Sequence, residues 1–220
     1  MRVGTQYARP VADARPRPYH HGDLRAALVR AGVELAREGG PQALTLREST
    51  RRAGVSAGAP YRHFASHEDL TFAVGSVGLA AMAREIERRQ DDSAEGTELE
   101  RAHAMLRGVG LGYIDFALDE PGLFEVAMVG MFTMAHTSIE PARGDRGRTP
   151  YDLLVDAVTA LVMLGQVRAE DAYTVAITCW STVHGFATLA TRGPLRELPR
   201  EALDEQAAEV VRTLVAGLLG

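Results

Sequence analysis

With 220 residues, 46% of them hydrophobic, the chain has the length for a small domain joined to a larger one and ample apolar content for a core. No run of about 18 apolar residues occurs, so no membrane span is expected. The first 22 residues lack the apolar stretch of a secretory signal. The lone Cys179 excludes an internal disulfide and suits a reducing cytosol, which makes a cytoplasmic location the expectation. The formal charge of −5 conceals an asymmetry: residues 1–90 hold 14 Arg against 9 acidic residues, and residues 91–220 hold 10 Arg against 20. A basic first third on an acidic remainder is the electrostatic footprint of a nucleic-acid-binding head on a non-binding body.

In chain order, residues 1–19 are rich in Arg and Pro without periodicity and read as a flexible basic arm, in which Arg15 and Arg17 are placed to meet phosphates or a minor groove. A first helix is predicted over residues 23–38, with Leu24, Ala27, Leu28, Ala31 and Leu35 on one face and Gly39, Gly40 and Pro41 as its stop. Thr45 opens a second helix as N-cap, with Glu48 at the capping-box position, and Gly54 ends it in a left-handed turn. Ser56 caps a short third helix reaching about Phe64, a core residue. Ser66, with Asp69 three residues on, starts a long connector through Leu70, Val74, Val77 and Ala81. Two short helices joined by a tight glycine turn form a helix-turn-helix, whose second member enters the DNA major groove.

Further helices are predicted over residues 98–118, 123–131, 151–164, 170–191 and 201–219, with a loop over 137–150. The fold class is therefore all-α with about nine helices: an arm (1–19), a DNA-binding head (20–82) and a helical body (83–220). The stretch 170–191 is apolar almost all round, and 201–219 carries a wide apolar stripe. Two such helices from each of two chains suit an intermolecular four-helix bundle, hence a homodimer through the last two helices. A two-fold dimer in turn demands a palindromic double-stranded operator.

The string from Leu44 to Leu70 resembles the DNA-binding domain of the TetR/AcrR transcriptional regulators. Leu44, Thr45, Leu46, Arg47, Glu48, Ala53, Gly54, Val55, Ser56, Gly58, Tyr61, Arg62, His63, Phe64, Ser66, Glu68 and Leu70 match in one ungapped register. The resemblance implies phosphate or backbone contacts from Thr45, Ser56, Tyr61 and His63. It also implies a C-terminal half that dimerises and holds a small-molecule pocket. Three positions depart from the family pattern. His67 replaces the common Lys, which makes that phosphate contact weaker and pH-dependent. Ser49 and Thr50 replace an apolar pair, and Pro60 falls in the first turn of the recognition helix.

On the residues themselves, Ala57, Gly58 and Ala59 bring shape and methyl contacts to the DNA but almost no hydrogen-bonding reach. Arg62 is the candidate to read guanine, with phosphate contact as its alternative, and Arg47 or Arg51 are seconds. In the body, Trp180, His184 and Gly185 form W-x3-HG, which resembles the WHG-type C-terminal domain of a subset of these regulators. Trp180 and His184 share one helix face, and Gly185 permits close helix approach. His184 is either a packed core or interface histidine or a ligand contact. A pocket for a small hydrophobic or amphipathic effector draws on Tyr113, Phe116, Phe124, Met128, Phe132, Met134 and Trp180, with His184 as polar anchor. No cofactor is expected, nor a metal, since no ligand spacing recurs around Cys179, His184 or His136. The leading function is a DNA-binding, ligand-released repressor; the alternative is a DNA-binding dimer without an effector. An enzyme is not expected, because there is no nucleophile–base pair, phosphate loop or metal cluster.

Overall fold

The computed structural model describes residues 21–56, 58, 60–92, 96–129 and 142–219. They form α1 (His21–Ala43), α2 (Leu46–Arg52), α3 (His67–Asp91), α4 (Glu98–Asp119), α5 (Pro121–Val129), α6 (Pro150–Met163), α7 (Ala172–Thr191) and α8 (Arg200–Leu219). There is no strand among the described residues. The expected arm, together with Ala57, Ala59, Phe132 and Met134, lies outside them.

Local chemistry explains most of the helix ends. Ser66 and Asp69 form the expected capping box of α3, and Thr97 with Glu100 and Thr149 with Asp152 do the same for α4 and α6. At α2 only half of the expected box exists: Thr45 Oγ1 accepts from Glu48 N at 3.1 Å, while the Glu48 carboxylate turns to Arg51. Gly54, at φ +68°, ends α2 as expected; Val55 N bonds Thr50 O and Gly54 N bonds Arg51 O, the two hydrogen bonds of a Schellman motif. Gly39 and Gly40 break α1 where the sequence places its stop, with Gly40 at φ +64°, and one further turn runs from Pro41 to Ala43.

The recognition segment differs from expectation. In place of a helix from Ser56 to about Phe64, its described part holds one 3-10 turn, Pro60–Arg62. Gly58 has low helix propensity, and Pro60 has no N–H to give an α-helical ladder. Pro121 departs too: it begins α5 rather than merely ending the helix before it.

α3 is the central element. Its head-side residues Leu70 and Val74 are fully buried with Leu28, Leu44 and Phe64, and its later residues Met82 and Ile86 are equally buried in the body. Glycines set how closely its neighbours approach. A Cβ on Gly112 of α4 would lie 2.6 Å from Ile86 Cα, and one on Gly75 of α3 would lie 3.1 Å from Val126 O of α5. Helix α5 is thereby wedged between α3 and α1. At its start a Cβ on Gly122 would lie 2.0 Å from the Ala36 carbonyl oxygen, and beside it Arg37 pairs with Glu120 at 2.8 Å.

Because that close approach is backbone to backbone, Gly122→Ala forces α5 off α1. The expected cost is about 1–3 kcal/mol of stability, read from the midpoint of urea unfolding. An unchanged midpoint contradicts the tight head–body seam.

Candidate nucleic-acid interface and effector cavity

The head presents its basic groups in two classes. Arg51 is held by Glu48 (Nε to Oε2, 2.9 Å), Arg52 by Glu38 (2.6 Å), and the Arg25 guanidinium lies 5.2 Å from the centre of the Phe64 ring. Arg47 and Arg62 are exposed and enter no ion pair with the described residues. Of Arg47, Arg51 and Arg62, Arg51 is paired with a neighbouring carboxylate on the helix surface, while Arg47 and Arg62 have no such partner among the described residues. Tyr61 is 66% exposed and adds little to the core, whereas Phe64 is buried as expected. Thr45 and Ser56 are exposed, Gly58 is exposed, and His63 is half-buried. The capping bond uses Thr45 Oγ1 as acceptor, so its hydroxyl proton is left to donate.

His67 Nε2 lies 2.5 Å from Leu44 O, which pins the start of α3 to the loop before α2. That structural contact occupies one ring nitrogen and leaves only Nδ1 for a phosphate. The two departures at Ser49 and Thr50 are both buried. Thr50 Oγ1 donates to Leu46 O, as a back-bonded hydroxyl does, while Ser49 Oγ has no hydrogen-bond partner.

In the body, a cavity that is partly open to solvent lies between α3, α4, α5, α6, α7 and α8. Three of the residues named from sequence line it: Tyr113, Met128 and Trp180. Phe116 and Phe124 are buried but stand behind the wall, and so does His184. His184 is nevertheless joined to the cavity, because its Nδ1 lies 2.8 Å from the Tyr113 hydroxyl, with Met128 Sδ at 3.3 Å from the same oxygen. The Phe124 ring packs edge-on to Tyr113 at 5.6 Å and beside His184 at 5.9 Å. The sequence missed the walls from α3 (Leu79, Met82, Ile86), α6 (Tyr151, Leu154) and α8 (Val211, Leu214, Val215). The wide apolar stripe of α8, expected to face a partner chain, instead supplies part of this wall.

Burial controls the protonation of this cluster. It pushes the Tyr113 phenol far up, offset in part by a hydrogen bond with Trp180, and it lowers the His184 imidazole below its ordinary value. Both groups are neutral at pH 7. The Cys179 thiol in the same wall is pushed up to about 11, so it is a packing group and a poor nucleophile. Gly185 does not serve a close approach within the chain: a Cβ there would meet nothing within 4 Å. No described helix is long and apolar enough to cross a membrane.

Comparison with known proteins bears on both regions. Residues 28–74 match the bacterial regulatory proteins of the tetR family, and residues 106–214 match the tetracyclin repressor-like C-terminal domain, which includes the W-x3-HG segment. The chain is 32% identical over 94 residues to the HTH-type transcriptional repressor Rv3405c of Mycobacterium tuberculosis, a match over 43% of this chain and 48% of that protein. The chain thus spans about half the length of the curated relatives of that group. A protein of unknown function from Rhodococcus sp. RHA1 shares the fold with a TM-score of 0.70 and 28% identity, over 93% of this chain and all of that one. The Bacillus subtilis regulator FadR in complex with stearoyl-CoA aligns with a TM-score of 0.62 and 18% identity, over 87% of this chain and 98% of its own.

Two expectations follow from the geometry. Arg62→Ala weakens binding to a cognate DNA duplex by about 1–3 kcal/mol if Arg62 reads a base, and Arg51→Ala, already paired, costs clearly less. Equal losses in a fluorescence-anisotropy titration remove the distinction. For His184, the unfolded imidazole takes a proton more readily than the buried one. The stability this ring allows is therefore complete above about pH 6.5 and is lost as the pH falls below it. His184→Asn keeps an acceptor near Tyr113 without titrating, so its stability falls less steeply from pH 7 to 5 than that of the wild type in parallel urea titrations.

Proposed function

Because the chain belongs to the TetR family of DNA-binding transcriptional regulators, we propose that it is a homodimeric repressor that leaves a palindromic operator when a small hydrophobic or amphipathic molecule fills the body cavity. The observation that carries this reading is one continuous path from the cavity to the head. Met82 and Ile86 of α3 and Met128 of α5 line the cavity, while the same two helices hold the head through Leu70, Val74 and the Gly122–Ala36 contact. An effector that displaces either helix shifts the population between head spacings that fit the operator and spacings that do not. DNA contact falls to Thr45, Arg47, Ser56, Tyr61, Arg62, His63 and His67, with Ala57, Gly58 and Ala59 supplying close fit.

The outer faces of α7 and α8 support the dimer. Thr174, Thr178, Ser181, Gly185 and Thr188 are exposed along one stripe of α7. The hydroxyls of Thr178 and Thr188 donate back to the carbonyls of Thr174 and His184 at 2.8 Å, so their methyls are left to face outward. A face of small side chains suits close helix packing against a second copy, and exposed Ala208, Ala216 and Gly217 continue it on α8. FadR holds stearoyl-CoA in a related fold, and Rv3405c is named as a repressor; both agree with this reading. The cavity also favours it over a dimer without an effector, for which a fully packed body is the expected structure.

Selection from a randomised duplex library, with light scattering on the free protein, tests the proposal. An enriched inverted repeat and a dimer mass at micromolar concentration are expected. A monomer mass, or enriched sequences without two-fold symmetry, overturns it.

A further inference from the structure

We infer that the cavity takes an uncharged, largely hydrocarbon molecule carrying one hydroxyl group, whose proton is received by the Tyr113 oxygen; this rests on the effector reading above. No charged side chain lines the cavity, and its walls are aliphatic or aromatic apart from a few polar atoms. A carboxylate, phosphate or ammonium brought there would exchange water for apolar carbon with no counter-charge, which strongly disfavours it. The neighbouring His184 supplies no such charge, since burial keeps its ring neutral.

The polar atoms present restrict the ligand further. Nδ1 of His184 stands 2.8 Å from the Tyr113 hydroxyl oxygen, and Met128 Sδ lies 3.3 Å from it. With the ring proton on Nε2, Nδ1 accepts the phenol proton in preference to the Met128 thioether. The Tyr113 oxygen then keeps its lone pairs, and toward the cavity it is an acceptor. A ligand that donates from a hydroxyl pairs with it; one that only accepts leaves it unpaired.

The chain holds a single tryptophan, and it lines the cavity, so its fluorescence reports occupancy without a label. Titration of the full-length protein with octan-1-ol, octanoate and octylammonium compares one tail with three head groups. Octan-1-ol is expected to give a saturable change in Trp180 emission, with both ions binding at least about tenfold more weakly. Tyr113→Phe, checked for folding by its thermal melt, is expected to weaken the alcohol about three- to tenfold, the size of one hydrogen bond. Equal binding of either ion, or an unchanged alcohol affinity in a folded Tyr113→Phe protein, overturns the ligand class while leaving an effector site in place. No change in Trp180 emission with any of the three overturns both the class and the effector reading.

Discussion

Head and body share one uninterrupted helix, and the other contacts between them are arranged around it. α3 runs 25 residues, about 37 Å at the rise of an α-helix. Its first turns are head core and its later turns are cavity wall, so neither region can move along this axis without carrying the other. The glycines decide how firmly it is held. Gly75 and Gly78 bring α5 onto its backbone, and Gly108 and Gly112 bring α4 there. Close-packed backbones have few intermediate arrangements, so a displacement at the wall passes along the helix rather than being absorbed between side chains.

The grip on α3 is uneven along its length. At the body end, the buried Asp115 of α4 lies 2.5 Å from Arg89 of α3 and 4.0 Å from Arg200 of α8, so one carboxylate ties three helices. Arg200 adds Asp119 and Asp204, which hold its guanidinium further above its already high ordinary pKa. Glu87, also buried, accepts from Asp145 N at 2.9 Å and Arg146 N at 3.1 Å, fixing the segment before α6. Removing one partner from such a buried set leaves an uncompensated charge, which is why this end acts as an anchor. At the head end α5 joins head to body through the Gly122 approach to Ala36, the Gly75 approach to Val126 and the more exposed Arg37–Glu120 pair.

Much of this was legible in sequence where one local rule decides the outcome. The αL glycine at Gly54, the capping box at Ser66 and the apolar register of α1 follow from short spacings, and the structure has them. α3 is the long connector that its spacing predicts, but it is buried on more than the stripe through Leu70, Val74, Val77 and Ala81: Ala73, Gly75, Gly78, Met82 and Ile86 are buried as well. Small residues hide burial from a periodicity reading, because Gly and Ala look neutral until another helix rests on them. The recognition segment differs for another reason: Ser56 is a good N-cap and predicts a helix, but Gly58 and Pro60 locally oppose one, and a 3-10 turn is found instead. In the cavity, Tyr113, Met128 and Trp180 were readable as large side chains near helix junctions. Phe116 and Phe124 had the same appearance, and only the three-dimensional packing separates wall from core. His184 needed the Tyr113 contact, 71 residues away in sequence, to acquire a role.

The sparse chemistry of the head has a consequence for how the proposed dimer discriminates. On the proposed reading, in which Ala57, Gly58 and Ala59 meet the groove and Arg51 is paired with Glu48, each head has one or two arginines for base readout. A good bidentate contact supplies only about 1–3 kcal/mol against a wrong base pair. One half-site therefore selects weakly, and most of the specificity comes from engaging two half-sites at a fixed separation, where the contributions combine. A reader of that kind is sensitive to spacing: a change that lets only one head seat correctly forfeits the second contribution entirely. In the proposed mechanism small movements of α3 and α5 therefore suffice for release, without the cavity reaching the DNA-contacting residues.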